Sequence, residues 1–297
     1  MGQRIVTWDK PMTSLRQREF SEKLQNRYPW VESEILTWTV GGREVELLKM
    51  GQGGRKVLLT AAHHANESIT GLLLWRMVEE YCCGIESNGD LWGFSCRGLF
   101  RRSTLYVVPL VNPDGCDLTA GLVSEEERQK AEELAKNQPT VPFPDGWKAN
   151  LRGVDLNLNY PARWELAKSR KAKQPGPRDF PGFAPLDQEE TAALAELTMR
   201  IEPDAVAAWH TQGRELYADG NDRLSKLLEK CSGYRWEDVP RESANGGFRD
   251  WFWQEFHRFG VTVEAGFGEN PLPLSDLPRL LEENLPIFLL LLAGIGC

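Results

Sequence analysis

Apolar positions along this chain gather into four short, nearly unbroken runs: residues 57–62, 105–111, 205–209 and 259–263. Strands covered on both faces show this continuous pattern, without the alternation of a half-exposed strand. Between the runs the spacing turns helical. Over residues 68–81, Leu72, Leu73, Leu74 and Met77 give one apolar side. Over 125–136, Ser124 stands as N-cap with Glu127 reaching back as a capping box. Over 188–201 the expected cap is Asp187, with Glu190 three residues on. Residues 285–297 are strongly apolar but too few to span a bilayer. They read as a buried helix with Pro286 in its first turn.

Strands alternating with helices predict an α/β fold, a mixed and mostly parallel twisted sheet with helices on both faces. No composition shift marks a boundary, so residues 1–297 read as one domain. Two proline-rich stretches, 138–146 and 171–185, read as long loops. Ordered loops of that length in a compact α/β domain tend to build functional sites.

Composition narrows the classes. With 41% hydrophobic and 26% charged residues the chain can form a packed core. A net charge of −8 without a basic stripe speaks against nucleic-acid binding. The eleven Trp are read as mostly core. The first ten residues have no apolar segment of the kind a secretory signal carries. The six Cys, at 82, 83, 96, 116, 231 and 297, show no Cys-x-x-Cys spacing. They read as reduced thiols of a cytoplasmic protein with no membrane partner.

Polar residues collect where the apolar runs end. His63-His64-Ala65-Asn66-Glu67 follows the first, Asn112-Pro113-Asp114-Gly115 the second, His210-Thr211-Gln212-Gly213 the third, and Glu264 the fourth. Ligands of open α/β sheets bind beyond the carboxyl ends of strands. His64 and Glu67, three residues apart, fall on one helical turn and can reach one ion. With His210 they make two His and one Glu around an open fourth position, a ligand set for a hydrolytic zinc. Glu264 enters a buried strand end, which is costly for a carboxylate without a partner or a task. Asp155, Asn157 and Asn159 alternate, which predicts three polar side chains on one face of an extended segment. His63 and His257 are read as structural.

Taken together, these motifs resemble the zinc metallocarboxypeptidase superfamily, the carboxypeptidase A-like fold, from about Arg16 onward. His64-Ala-Asn-Glu67 resembles the family's His-x-x-Glu ligand pair, and His210 its third ligand. Asn112 to Gly115 resembles its Asn-Pro-Asp-Gly turn, Asp155-Leu-Asn157 its Asp-x-Asn segment, and Glu264 its general base. The resemblance implies one zinc per chain. The departures carry information too. The family's Arg that clamps a substrate's C-terminal carboxylate is replaced by Leu158, which cannot pair with an anion. The Arg that polarises the scissile carbonyl is replaced by Lys148, which keeps the charge. Gly246-Gly-Phe-Arg-Asp-Trp251 resembles the Gly-Gly-x-x-Asp-Trp segment. Counted from it, the family's capping tyrosine falls at Glu242 and the base of the specificity pocket at Arg249.

A cationic pocket base fits a substrate side chain ending in a carboxylate, as in meso-diaminopimelate. Within the superfamily the chain looks most like the bacterial γ-D-glutamyl-L-diamino acid endopeptidases. Trp147-Lys-Ala-Asn150, Gly153 to Asn157, Tyr160-Pro-Ala-x-Trp164, His210 to Gly213 and Glu264 to Pro273 carry that resemblance. It implies a small muropeptide substrate cut at the γ-D-glutamyl–meso-diaminopimelate bond. Glu264 and Lys148 are then catalytic, and Asn157, Arg249, Asn150 and Gln212 bind the substrate. Glu242 is a candidate for the distal ammonium. An ordinary metallocarboxypeptidase, a zinc deacylase of the same superfamily and a non-catalytic peptide-binding relative stand as alternatives.

Overall fold

The computed structural model describes residues 4–218, 223–237 and 245–294. Glu242 and Cys297 lie outside the described residues. The strands are β1 Glu32–Trp38, β2 Glu44–Gly51, β3 Arg55–Ala61, β4 Asp90–Leu91, β5 Phe94–Ser95, β6 Ser103–Val108, β7 Ala205–His210, β8 Glu215–Ala218, β9 Arg235–Glu237 and β10 Phe259–Glu264. Apart from the small β4–β5 ribbon, they form one eight-stranded sheet in the order β1-β2-β6-β3-β7-β10-β8-β9. The four central strands β6, β3, β7 and β10 run parallel. Antiparallel β2 flanks them on one side and antiparallel β8 on the other.

The four apolar runs of the sequence are these central strands. Their side chains feed two cores on opposite faces. Val57, Leu59, Ala205, Ala207, Trp209, Val261 and Val263 pack toward one core, with helices Ile69–Ser87 and Leu277–Ala293. Leu58, Val108, Val206 and Ala208 pack toward the other, with helices Glu189–Ile201 and Phe248–Phe256. Helices therefore cover both faces, and the strands need apolar residues at consecutive positions. Truncating a fully buried Leu such as Leu59 to Ala costs about 2–5 kcal/mol. The outer strands escape that signature. β1 exposes most of its residues and β8 spans only four, so neither shows as an apolar run.

Helix ends follow the predicted chemistry in one case and not in two others. Ser124 and Glu127 form the expected capping box of helix Glu125–Ala135. Asp187 does not cap Glu189–Ile201, whose N-cap is Gln188. Its carboxylate turns back into the preceding loop and accepts N–H bonds from Phe183 (2.7 Å) and Ala184 (3.1 Å). The C-terminal helix starts at Leu277 rather than 285, with Pro278 in its first turn and Pro286 in its interior. Leu277 and Leu280 bury on the same side as the later apolar run, and that longer stripe extends the helix backward. Asn284 in this helix accepts a bond from Trp209 Nε1 at 2.9 Å, tying it to β7. No helix among the described residues is long and apolar enough to cross a membrane. The five described cysteines form no disulfide.

Register sets the stage for the site. Ala61 of β3 lies opposite Trp209 of β7, and His210 opposite Glu264 of β10. The carboxyl ends of three parallel strands thus open on one edge.

Candidate metal centre and cleft

The first ligand segment is a tight turn held from several sides. Ala62 takes a left-handed φ of 53° and donates its N–H to Thr70 Oγ1 at 2.9 Å. His64 is extended, and Ala65–Glu67 forms a single 3₁₀ turn, so His64 and Glu67 sit at its two ends. Lys148 O and Trp147 O accept the N–H groups of Ala65 (3.0 Å) and Asn66 (3.1 Å). Asn112 Nδ2 donates to His63 O and Ala149 O, while its Oδ1 accepts from Gly115 N at 2.9 Å. The Asn-Pro-Asp-Gly motif is therefore a clamp. It starts helix Pro113–Thr119 and locks the ligand turn to the segment that carries Lys148.

His64, Glu67 and His210 come together with one ligand atom each inside a mutual spread of 4.8 Å. His64 Nδ1 and His210 Nδ1 are 3.2 Å apart, and Glu67 lies 3.0 Å from each nitrogen. Tetrahedral zinc with bonds near 2.0–2.1 Å separates its ligands by roughly 3.3 Å. The donor set fits that ion. His64 Nε2 donates to Asp155 Oδ1 at 3.1 Å, which fixes the tautomer and leaves the Nδ1 lone pair inward. His63 is not part of this set. It is buried, bonded to Tyr160 OH at 3.2 Å and stacked on His210, and burial holds it neutral, its pKa well below the ordinary value. His257 is exposed against Trp253. Both match their structural reading.

Two more charges border the triad. Lys148 Nζ lies 3.1 Å from Glu67 Oε1. Burial works most strongly against its charge, but Glu67, Asp155 and Glu264 together outweigh that, so its pKa stands above the ordinary value. Glu264 closes the cleft floor at the end of β10. Burial, then the charge of Glu67, pushes its carboxyl up to about 8, against the pull of Lys148 and His64. A cation at the triad acts in the same direction as Lys148 and favours the carboxylate. Asn270, which the sequence left without a role, donates to Glu67 Oε1 at 3.3 Å and accepts from Thr211 Oγ1 at 2.7 Å.

Above these groups opens a cleft of about 530 Å³. Lys148, Glu264, Asn157, Gln212 and Arg249 line it, as five of the predicted site residues should. Arg249 is buried at its base and pairs with Asp250 at 2.9 Å. Gly246 makes this base possible. Its φ of +85° suits glycine, and a Cβ there would meet Leu158 O at 2.5 Å. Asn157 Oδ1 then accepts from Phe248 N at 3.1 Å. Two expectations need correction. Asn150 does not face the cleft. It is fully buried, its Nδ2 donating to Gln188 Oε1 at 2.9 Å and its Oδ1 accepting from Arg152 N and Val154 N. Nor do Asp155, Asn157 and Asn159 share a face. Leu156–Leu158 is a 3₁₀ turn, which sends Asp155 to His64, Asn157 to the cleft and Asn159 into the 181–187 loop. The sequence also passed over Asp145, Arg178, Tyr217 and Asp250 as cleft residues. The two proline-rich loops supply Asp145 and Arg178, and only that loop length hinted at them. Among the described residues no tryptophan lines the cleft.

The zinc carboxypeptidase family profile matches residues 18–232. The chain belongs to this family. It is a zinc carboxypeptidase-type metallopeptidase with a mixed, mostly parallel sheet. It is 37% identical over 277 residues to γ-D-glutamyl-L-diamino acid endopeptidase 1 of Lysinibacillus sphaericus, covering 90% of this chain and 69% of that one. Among solved structures, thrombin-activatable fibrinolysis inhibitor shares the fold with a TM-score of 0.76 at 16% identity, covering 99% of this chain and 77% of its own. Murein-tripeptide amidase of Escherichia coli O157 shares it with a TM-score of 0.59 at 20% identity, covering 86% and 91%.

Proposed function

We propose that this zinc carboxypeptidase relative hydrolyses the γ-D-glutamyl–meso-diaminopimelate bond of peptidoglycan-derived peptides, in the cytoplasm, with one zinc per chain. The observation that carries the reading is the cleft base, where Arg249 and Asp250 sit 2.9 Å apart and both line the cavity. A cation and a carboxylate side by side complement the distal carboxylate and ammonium of diaminopimelate. Asp250 takes the ammonium role considered for Glu242. The similarity to the Lysinibacillus endopeptidase supports the same substrate. Leu158, buried and apolar, offers no clamp for an ordinary C-terminal carboxylate.

Zinc at His64, Glu67 and His210 would supply the Lewis acidity that lowers the pKa of a water at the open position. Glu264 takes a proton from the attacking water and returns it to the leaving amine. Lys148 faces the negative charge that builds on the scissile oxygen. Asn157 and Gln212 orient the peptide, and Arg249 holds the distal carboxylate. The test compares a γ-D-glutamyl–meso-diaminopimelate peptide with ordinary C-terminal substrates. The first should be cut far faster; faster trimming of ordinary C-termini sinks the reading. Arg249→Met should slow the diaminopimelate peptide on the order of 10- to 100-fold and its lysine analogue little, because lysine lacks the carboxylate.

A further inference from the structure

Arg178 is a cleft cation that the steps above leave unused. Its backbone is mounted on the catalytic segments. Pro177 O accepts the N–H groups of Lys148 (2.8 Å) and Ala149 (3.0 Å). Gln138 brackets the residue itself, Oε1 accepting from Arg178 N at 3.2 Å and Nε2 donating to Arg178 O at 2.9 Å. On the other side Asp179 N donates to Asp155 Oδ2 at 3.3 Å, and Asp155 Oδ1 holds His64. The guanidinium therefore hangs from a chain bonded both to the lysine segment and to the carboxylate behind a metal ligand. An arginine on a free surface loop has no such mounting.

Its charge is also available. The other described cations of the cleft are engaged, Lys148 with Glu67 at 3.1 Å and Arg249 with Asp250 at 2.9 Å. Arg178 pairs with its neighbour Asp179 at 3.3 Å, and the two side chains are 39% and 38% exposed. Exposed pairs of this kind hold weakly and exchange readily for a better anion. Leu158 leaves the position after Asn157 without a charge, so a carboxylate near the scissile bond must find its cation elsewhere. A γ-D-glutamyl–diaminopimelate peptide has two such carboxylates, the α-carboxylate of glutamate on the acyl side and that of diaminopimelate on the leaving side.

We propose that Arg178 binds one of the substrate carboxylates flanking the scissile bond and thereby selects γ-glutamyl-type peptides over uncharged ones. The inference rests on the function proposed above. Its test uses three peptides: L-Ala-γ-D-Glu-meso-diaminopimelate, the same peptide amidated at the glutamate α-carboxyl, and the same amidated at the diaminopimelate main-chain carboxyl. Each is measured with the zinc-loaded wild type, Arg178→Gln and Arg178→Lys. Arg178→Gln should lose on the order of 10- to 100-fold in kcat/KM on the parent peptide, chiefly through KM. One amidated peptide, already slow with wild type, should lose nothing more, and its identity names the carboxylate. Arg178→Lys should recover part of the loss. Equal losses on all three peptides, or none on any, overturn the assignment while the proposed function stands. If wild type cuts none of them, the function fails and this proposal with it.

Discussion

Two buried charge clusters follow neighbouring strands of this sheet, and only one has chemistry left over. After β6, Arg43 meets Asp117 (2.8 Å), Asp114 (2.9 Å) and Glu127 (2.9 Å), and Asp114 also accepts from Thr39 Oγ1 and Gly41 N. The Arg43 bond holds the Glu127 carboxyl down near 2. Every member is answered by another member, and the cluster binds the β1–β2 turn to two helices, with Asp117 also accepting from Ser14 N (2.8 Å) at the start of helix Ser14–Arg27. After β3, the Nδ1 atoms of His64 and His210 and the Glu67 carboxylate meet at one point, 3.0–3.2 Å apart. Buried charge alone does not mark a catalytic site. Ligand lone pairs converging on one point do.

A third buried acid sharpens the contrast. Burial pushes Glu190 up to about 7, nearly as far as Glu264. Yet Glu190 faces Asn150 inside the protein, away from the cleft. A shifted carboxyl gains meaning only from what it faces.

The largest expected break comes from the triad. His210→Ala should lose the metal and with it activity, while the fold persists; full zinc occupancy in that variant at neutral pH removes His210 from the ligand set. Next is Glu264→Gln, which keeps shape and metal but should cost on the order of 10² to 10⁴ in turnover. Near-normal rates would free Glu264 from proton transfer. The closed cluster should answer in stability instead. Arg43→Met strands the fully buried Asp114, and removing one partner of a buried pair costs about 3–5 kcal/mol. Denaturant midpoints at unchanged zinc content measure it, and an unshifted midpoint refutes it.

The smallest effect is pH-dependent and belongs to Glu190. Its folded-state pKa is raised from 4.5 to about 7, so between those values the folded protein binds more protons than the unfolded chain. Stability then falls as pH rises through that window and levels off above it. Glu190→Gln removes the loss, gaining at most about 3 kcal/mol above pH 7 and little below pH 4.5, with turnover unchanged. A gain equal at both ends of the window would show that the carboxyl never carried the shift.

The sheet centre and the metal ligands were legible in the sequence because both have local signatures. Strands buried on two faces must be apolar at consecutive positions, and His64 and Glu67 are separated by one turn. The rest depends on distant chain. β1, mostly exposed, and β8, only four residues long, show no apolar run for the sequence to reveal. Asn150 shares a segment with Lys148, and only the fold reveals that it points to Gln188 instead of the cleft. Asp187 has the residue type and spacing of a cap, but the loop at 183–184 competes for it and wins. Arg178 reaches the cleft through a loop whose course is fixed by Gln138 and Asp155, forty and twenty-three residues away in sequence.

The bond between Asn157 and Phe248 has one more consequence. A backbone N–H can only be met by the oxygen of a side-chain amide, so the two ends of the Asn157 amide are distinguished without seeing a hydrogen. One lone pair of the oxygen is committed to the protein. Asn157 lines the cleft, and its NH₂ group can give hydrogen bonds but cannot receive them. The wall of the cleft at this point therefore has a polarity. The NH₂ end suits carbonyl and carboxylate oxygens, and the chain segment behind the wall sets which end is which.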